Sequence, residues 1–206
     1  MNLRKNEPLI VGIPRALYFY KYGVLWNAFL KKLGFVVRFS PPTSSEIVKM
    51  GTKNATSELC VPMKIYYGHV LKLIEKNPDL DYIFIPRYVS TEKEQFFCPK
   101  FLSLPEAIKY SLNIQKPILT LEFNVKSHDE KGSLLEFGRK LDLDPLVITK
   151  AWKKAQKEFQ IFLQTARKKD YITELLKIDL DPSHKLAPKR FKSQVPEYLK
   201  GKFPLN

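Results

Sequence analysis

Along this chain, short apolar runs alternate with longer stretches in which apolar residues recur every three or four positions. Leu9-Ile10-Val11-Gly12-Ile13 is a short run ended by Pro14, the pattern of a buried strand. Residues 16–33 then carry Leu17, Tyr20, Leu25, Phe29 and Leu33 at helical spacing, and Gly34 closes that helix. Residues 35–39 form a second strand, stopped by Pro41-Pro42. Thr43 with Glu46 has the spacing of a capping box, opening a short helix to about residue 50. Pro62 suits the first position of a helix running to about residue 76. Residues 81–85 form a third strand, ended by Pro86. Residues 103–112 read as a helix with Pro105 in its first turn, 117–123 as a fourth strand, and 133–141 as another helix.

Four strands joined by helix-length crossovers predict a parallel sheet wrapped by helices. Right-handed, doubly wound connections give the strand order 2-1-3-4. The expected fold is therefore α/β: a single Rossmann/flavodoxin-like lobe with a four-stranded parallel sheet, spanning residues 1–145. After Pro145 the pattern changes. A long helical stretch from about 146 to 169, carrying Trp152, Phe159, Ile161, Phe162 and Leu163, is expected to leave the lobe as an extension over 146–178. That much apolar surface must fold back or meet another chain, and an assembly is the favoured outcome. Residues 179–206 hold Pro182, Pro188, Pro196, Pro204 and many lysines, and read as a basic tail. No internal repeat is visible.

Composition narrows the class. A chain of 206 residues with 44% hydrophobic content suits one domain with a real core. No run approaches the length of a membrane span, and the N-terminal residues lack a signal peptide's apolar region. The expected compartment is the cytoplasm, where two cysteines are thiols or ligands rather than a disulfide. The net charge of +14 is uneven, with +6 over residues 1–147 and +8 over 148–206. Such an excess suits nucleic acid, an acidic protein or a phosphate-bearing substrate. No nucleic-acid-binding motif accompanies it, so a solvated basic face is preferred over a nucleic-acid contact.

The candidate chemistry centres on two cysteines. Cys60 stands in Glu58-Leu59-Cys60-Val61-Pro62 at the mouth of a predicted helix; Cys98 stands in Phe97-Cys98-Pro99-Lys100, after a predicted strand. In an open α/β sheet both places fall near the carboxyl edge, where ligands bind. Helix N-termini favour thiolates or the anionic clusters they hold. The plain alternative is two small buried hydrophobes. Lys64 and Lys100, just beyond the cysteines, are placed to offset the charge of a cluster or of phosphates, or to sit solvated. Arg15 and Arg87 follow the first and third strands at the same edge; an anion site competes there with a local ion pair. His69 lies on an apolar helix face with Tyr66, Val70 and Leu73, where a packed, hydrogen-bonded histidine is favoured over a ligand. His128 and His184 have no evident partner. Other chemistries are set aside: there is no Walker loop, no dinucleotide glycine fingerprint after the first strand, no Cys-x-x-Cys pair and no nucleophile elbow.

The segments Ile10-Val11-Gly12-Ile13-Pro14-Arg15-Ala16-Leu17-Tyr18-Phe19-Tyr20-Lys21-Tyr22-Gly23, Glu58-Leu59-Cys60-Val61-Pro62-Met63-Lys64, Tyr67-Gly68-His69-Val70, Tyr82-Ile83-Phe84-Ile85-Pro86-Arg87 and Cys98-Pro99-Lys100-Phe101 occur in that order. Together, from about residue 8 to 170, they resemble the activase-associated family related to the 2-hydroxyacyl-CoA dehydratases of anaerobes. The resemblance implies a two-lobed α/β architecture of which this chain carries the first lobe. It implies an iron–sulfur cluster, a [4Fe-4S] cube or a double cubane, reduced by an ATP-dependent activase and acting on a CoA thioester or other small substrate. Cys60 and Cys98 match the cluster cysteines of that lobe. A cube commonly takes four thiolates, so completing such a cluster needs a second chain, as a homodimer, two plus two, or a separate second-lobe subunit, or else a non-protein ligand. The competing reading is a non-catalytic single-lobe subunit that binds a partner without a cluster.

Overall fold

The computed structural model describes residues 8–92, 95–124, 130–166 and Leu175. In chain order these form β1 (Ile10–Ile13), α1 (Phe19–Lys32), β2 (Val36–Phe39), α2 (Ser45–Asn54), α3 (Val61–Lys76), β3 (Tyr82–Phe84), β4 (Arg87–Glu92), β5 (Gln95–Phe96), α4 (Pro99–Leu102), α5 (Leu104–Ser111), β6 (Ile118–Leu119), β7 (Glu122–Asn124), α6 (Glu130–Lys140) and α7 (Pro145–Ala166). The main sheet has order β2-β1-β3-β6, every neighbouring pair parallel. This is the expected 2-1-3-4 arrangement, with β6 as the fourth strand.

Strand alternation divides the core in two. Val11, Ile13, Tyr82, Phe84 and Leu119 face one side, packed with residues of α1, α6 and α7. Ile10, Ile83 and Ile85 face the other, against α3 and α5. Period-2 burial on both faces is what a doubly wound parallel sheet demands. Gly34 closes α1 with φ of 90°, the left-handed cap that glycine adopts without a steric penalty.

Three expectations are corrected. The third strand ends before Pro86 as expected, but a further strand that the pattern did not predict, β4, begins just beyond it, paired in parallel with β7. The N–H groups of Ile83, Ile85 and Arg87 all donate toward the β6–β7 side. Pro86 stands at the alternate position, so its missing N–H interrupts nothing on that side. The fourth strand is correspondingly split into β6 and β7, and β4, β5 and β7 form a second small sheet. The cap of α2 is Ser44, whose Oγ accepts from Ile47 N at 3.3 Å, not Thr43.

The third correction concerns the long helix. Instead of leaving the lobe, α7 lies on α1. It buries Ile148, Ala151, Trp152, Ala155 and Phe159, a helical stripe. Trp152 meets Phe29 edge-on at 5.0 Å between centroids, Phe159 lies 6.2 Å from Tyr22, and Lys32 bonds Glu158. Leu175 is buried in the same cluster. The tail over 179–206 lies outside the described residues, as do His128 and His184. Among the described residues no helix is long and apolar enough to cross a membrane.

On the opposite side α2 and α3 touch through backbone. A Cβ on Gly51 would stand 1.8 Å from the Lys64 carbonyl oxygen, and one on Gly68 would stand 2.0 Å from that of Ile47. Only hydrogen fits at either place. Lys72 of α3, its side chain almost wholly buried, bonds Glu46 of α2 at 2.6 Å and Glu75 at 2.7 Å, fastening the same pair.

Candidate functional site at the carboxyl edge

Both cysteines lie at the carboxyl edge of the sheet, each immediately before a helix. Cys60 is the N-cap residue of α3 and Cys98 that of α4, and proline follows within two positions in each case. Both are exposed and free, so neither is a small buried hydrophobe. Lys100 Nζ donates to the Glu58 carbonyl at 2.9 Å, which ties the segment after Cys98 to the segment before Cys60. Lys64 Nζ donates to the neighbouring Ser57 carbonyl at 3.2 Å. Two ammonium groups thus gather on the loop that leads into Cys60, and each uses a backbone carbonyl as its anchor. Pro62 and Phe101, each within three residues of a cysteine, line one surface groove.

The rim is apolar to an unusual degree. Val61 is 64% exposed, Phe96 61% and Leu102 43%. These residues flank the two cysteines in sequence, and exposed apolar groups of this size mark contact surfaces when they cluster.

The arginines divide. Arg87 is engaged by carboxylates, bonded to Glu106 and 3.9 Å from Glu122, the local ion pair weighed from the sequence. Arg15 is 3% exposed. Its guanidinium lies 5.6 Å from the Phe39 ring centre and 6.0 Å from that of Phe19, within cation–π range, and burial holds its pKa below the ordinary arginine value. Its backbone N–H donates to Ser40 Oγ at 2.8 Å.

His69 is packed and hydrogen-bonded, as its apolar helix face predicts. It is fully buried, with Nδ1 2.8 Å from Ser40 Oγ and Nε2 2.9 Å from Thr43 Oγ1. A neutral imidazole donates from one ring nitrogen and accepts at the other, and two hydroxyls serve both roles. Burial, then the nearby Arg15 charge, lowers its pKa to about 4. His69 therefore joins β2's end to α3 as a neutral strut. Thr43, read as a helix cap, is used here instead.

As donors, the two thiols suit an iron–sulfur cluster, whose irons take thiolate ligands. They amount to half the set of a cube: among the described residues no three His, Cys, Asp or Glu side chains gather into a metal site. Sequence reasoning missed the groove and the aromatic cluster beneath it. Tyr88 sits 4.3 Å from Tyr18, 4.9 Å from Phe123 and 5.7 Å from Phe97, centroid to centroid. The abundance of tyrosine and phenylalanine was visible, but their meeting depends on β4, just beyond Pro86.

Comparison with curated proteins and with solved structures yields no match. Over residues 10–187, most of its length, the chain matches the family described as the CoA enzyme activase uncharacterised domain, and it belongs to that family.

Proposed function

We propose that this chain is an iron–sulfur-cluster-bearing component of a reductive system related to the 2-hydroxyacyl-CoA dehydratases. Cys60 and Cys98 supply two thiolates, and another chain, a second copy or a separate second-lobe subunit, supplies the rest. A cluster held there would take low-potential electrons from an ATP-dependent activase and pass them to a CoA thioester or other small substrate. The observation that carries this reading is the pair of exposed cysteines on one sheet edge, their segments tied by Lys100 and Glu58. Lys64 and Lys100 would offset the negative charge of the thiolates. The exposed Val61, Phe96 and Leu102 would be covered by the completing chain.

Anaerobic purification, with iron and acid-labile sulfide analysis of wild type, Cys60→Ser and Cys98→Ser, tests this. Iron and sulfide in equal amounts, lost in both variants, are expected. Wild-type protein that takes up neither after anaerobic reconstitution, alone or co-purified from cells expressing its second-lobe subunit, would sink the reading. It would favour instead a partner-binding subunit without a cluster, the alternative that the same exposed apolar rim supports.

A further inference from the structure

Two buried polar groups on the aromatic side play no part in the cysteine edge. Trp26 is 2% exposed and Tyr88 1%. Neither Trp26 Nε1 nor the Tyr88 hydroxyl makes a hydrogen bond of normal geometry among the described residues; the indole N–H faces the hydroxyl closely enough to oppose the rise in pKa that burial causes. Buried donors are paired almost without exception, and one left open calls for an explanation. Both residues line a chamber of about 10 Å³, room for a single water.

Three walls of that chamber, Leu17, Tyr18 and Phe101, also line the surface groove. One layer of half-buried side chains therefore separates the two. The groove has a volume of about 790 Å³, within the usual range for small-molecule sites. Tyr22, Pro62 and Phe159 extend its apolar lining. Leu17 holds φ of 54°. A leucine seldom adopts this left-handed conformation, and such strain gathers at ligand clamps.

We propose that groove and chamber form one small-molecule site. It takes an uncharged molecule with a ring-sized apolar body and a terminal oxygen acceptor. The body fills the groove; the oxygen lodges between Trp26 Nε1 and the Tyr88 hydroxyl, in the space that has room for one water. A carboxylate is disfavoured because no cation lines the chamber to offset its burial. A protein segment laid along the groove would leave both donors untouched. The site adjoins the cysteines through Pro62 and Phe101, but the inference needs no cluster.

The test is calorimetric titration of metal-free, full-length protein with 4-phenyl-2-butanone and with n-butylbenzene, which lacks the oxygen. The ratio of their affinities in wild type is compared with the ratio in Tyr88→Phe. This comparison cancels the difference in their own hydrophobicity, as in a double-mutant cycle. Loss of one hydrogen bond should reduce the preference for the ketone by about fivefold, with butylbenzene affinity unchanged. An unchanged ratio, or saturable binding of neither compound, overturns the proposal. A crystal structure of wild type with the ketone decides it independently of any variant. The oxygen within hydrogen-bond reach of both Trp26 and Tyr88 supports it. Trp26 donating directly to Tyr88 across a closed chamber refutes it.

Discussion

The two sides of this sheet are finished differently. On the α2–α3 side, backbone meets backbone at Gly51 and Gly68, and the buried polar groups are satisfied: His69 by Ser40 and Thr43, Lys72 by Glu46 and Glu75. On the α1–α7 side, rings meet rings, a groove stays open, and Trp26 Nε1, Asn27 Oδ1 and the Tyr88 hydroxyl make no hydrogen bond of normal geometry among the described residues. Both sides rest on the same alternating strands, so hydrophobic patterning does not distinguish them. The difference lies in how completely each side uses its contacts. A side without slack holds the fold in register, and a side with slack can admit a ligand.

The glycine contact is where the contrast breaks hardest. Gly51→Ala puts a methyl group into the Lys64 carbonyl, and neither backbone can retreat without separating α2 from α3. A loss of about 3 kcal/mol or outright failure to fold is expected, at the upper end of overpacking penalties. Gly34→Ala is the control. It meets no atom within 4 Å but keeps a φ of 90°, so its conformational strain should cost only about 1–2 kcal/mol. Urea unfolding followed by circular dichroism measures both. Similar small losses would show that the α2–α3 side has slack after all.

Acid should loosen the same side next. The buried, neutral His69 has a folded pKa of about 4 against an ordinary value of 6.5. Below pH 6.5 the unfolded chain takes up a proton that the folded chain refuses, so stability falls as pH drops from about 6.5 toward 4. At about 1.4 kcal/mol per pKa unit, the full loss approaches roughly 3 kcal/mol. His69→Gln, which keeps a donor and an acceptor, should flatten that dependence while lowering stability at neutral pH. An unaltered pH profile in the variant would assign the acid sensitivity to other groups.

The aromatic side should yield more gently. Phe159 is 9% exposed and borders the groove. Truncation to alanine widens an open space rather than creating a sealed void. Phe159→Ala should therefore cost about 2 kcal/mol, below the 3–5 kcal/mol usual for a closed core. A loss in the full core range, read from the urea midpoint, would mean that the groove wall is as tightly built as the opposite side.

Periodicity carried the interior of this fold into view. Ile10 through Ile13 and Tyr82 through Phe84 read as buried strands because every residue is apolar, and strand order followed from the connections. The edges escaped for local reasons. Pro86 marks the end of β3 correctly, but a sequence does not reveal which side its missing N–H faces, and so hides that pairing resumes in β4 just beyond it. Thr43 and Ser44 are equivalent as caps until His69 claims one of them. The docking of α7 was hidden because an apolar stripe states that it must be covered, not by what. Of the candidate residues, His69 and Arg87 were legible in kind. Arg15's burial between Phe19 and Phe39 depends on the fold around it.

The smallest effect should come from the most chemically loaded residues. Cys60 caps α3 without a side-chain hydrogen bond to the helix, although serine is a far better cap. Cys60→Ser offers a hydroxyl to the free N–H of the first turn, so stability should hold or rise by up to about 1 kcal/mol. Cys98→Ser, at an exposed position before a four-residue helix, should change stability by no more than about 0.5 kcal/mol. A double variant as stable as wild type, yet unable to hold iron, would show that thiols occupy these positions against the preference of the fold. A loss above about 1 kcal/mol in metal-free protein would give the sulfurs a structural role. It would place the cysteine edge with the fully packed side of the molecule rather than with the side that has slack.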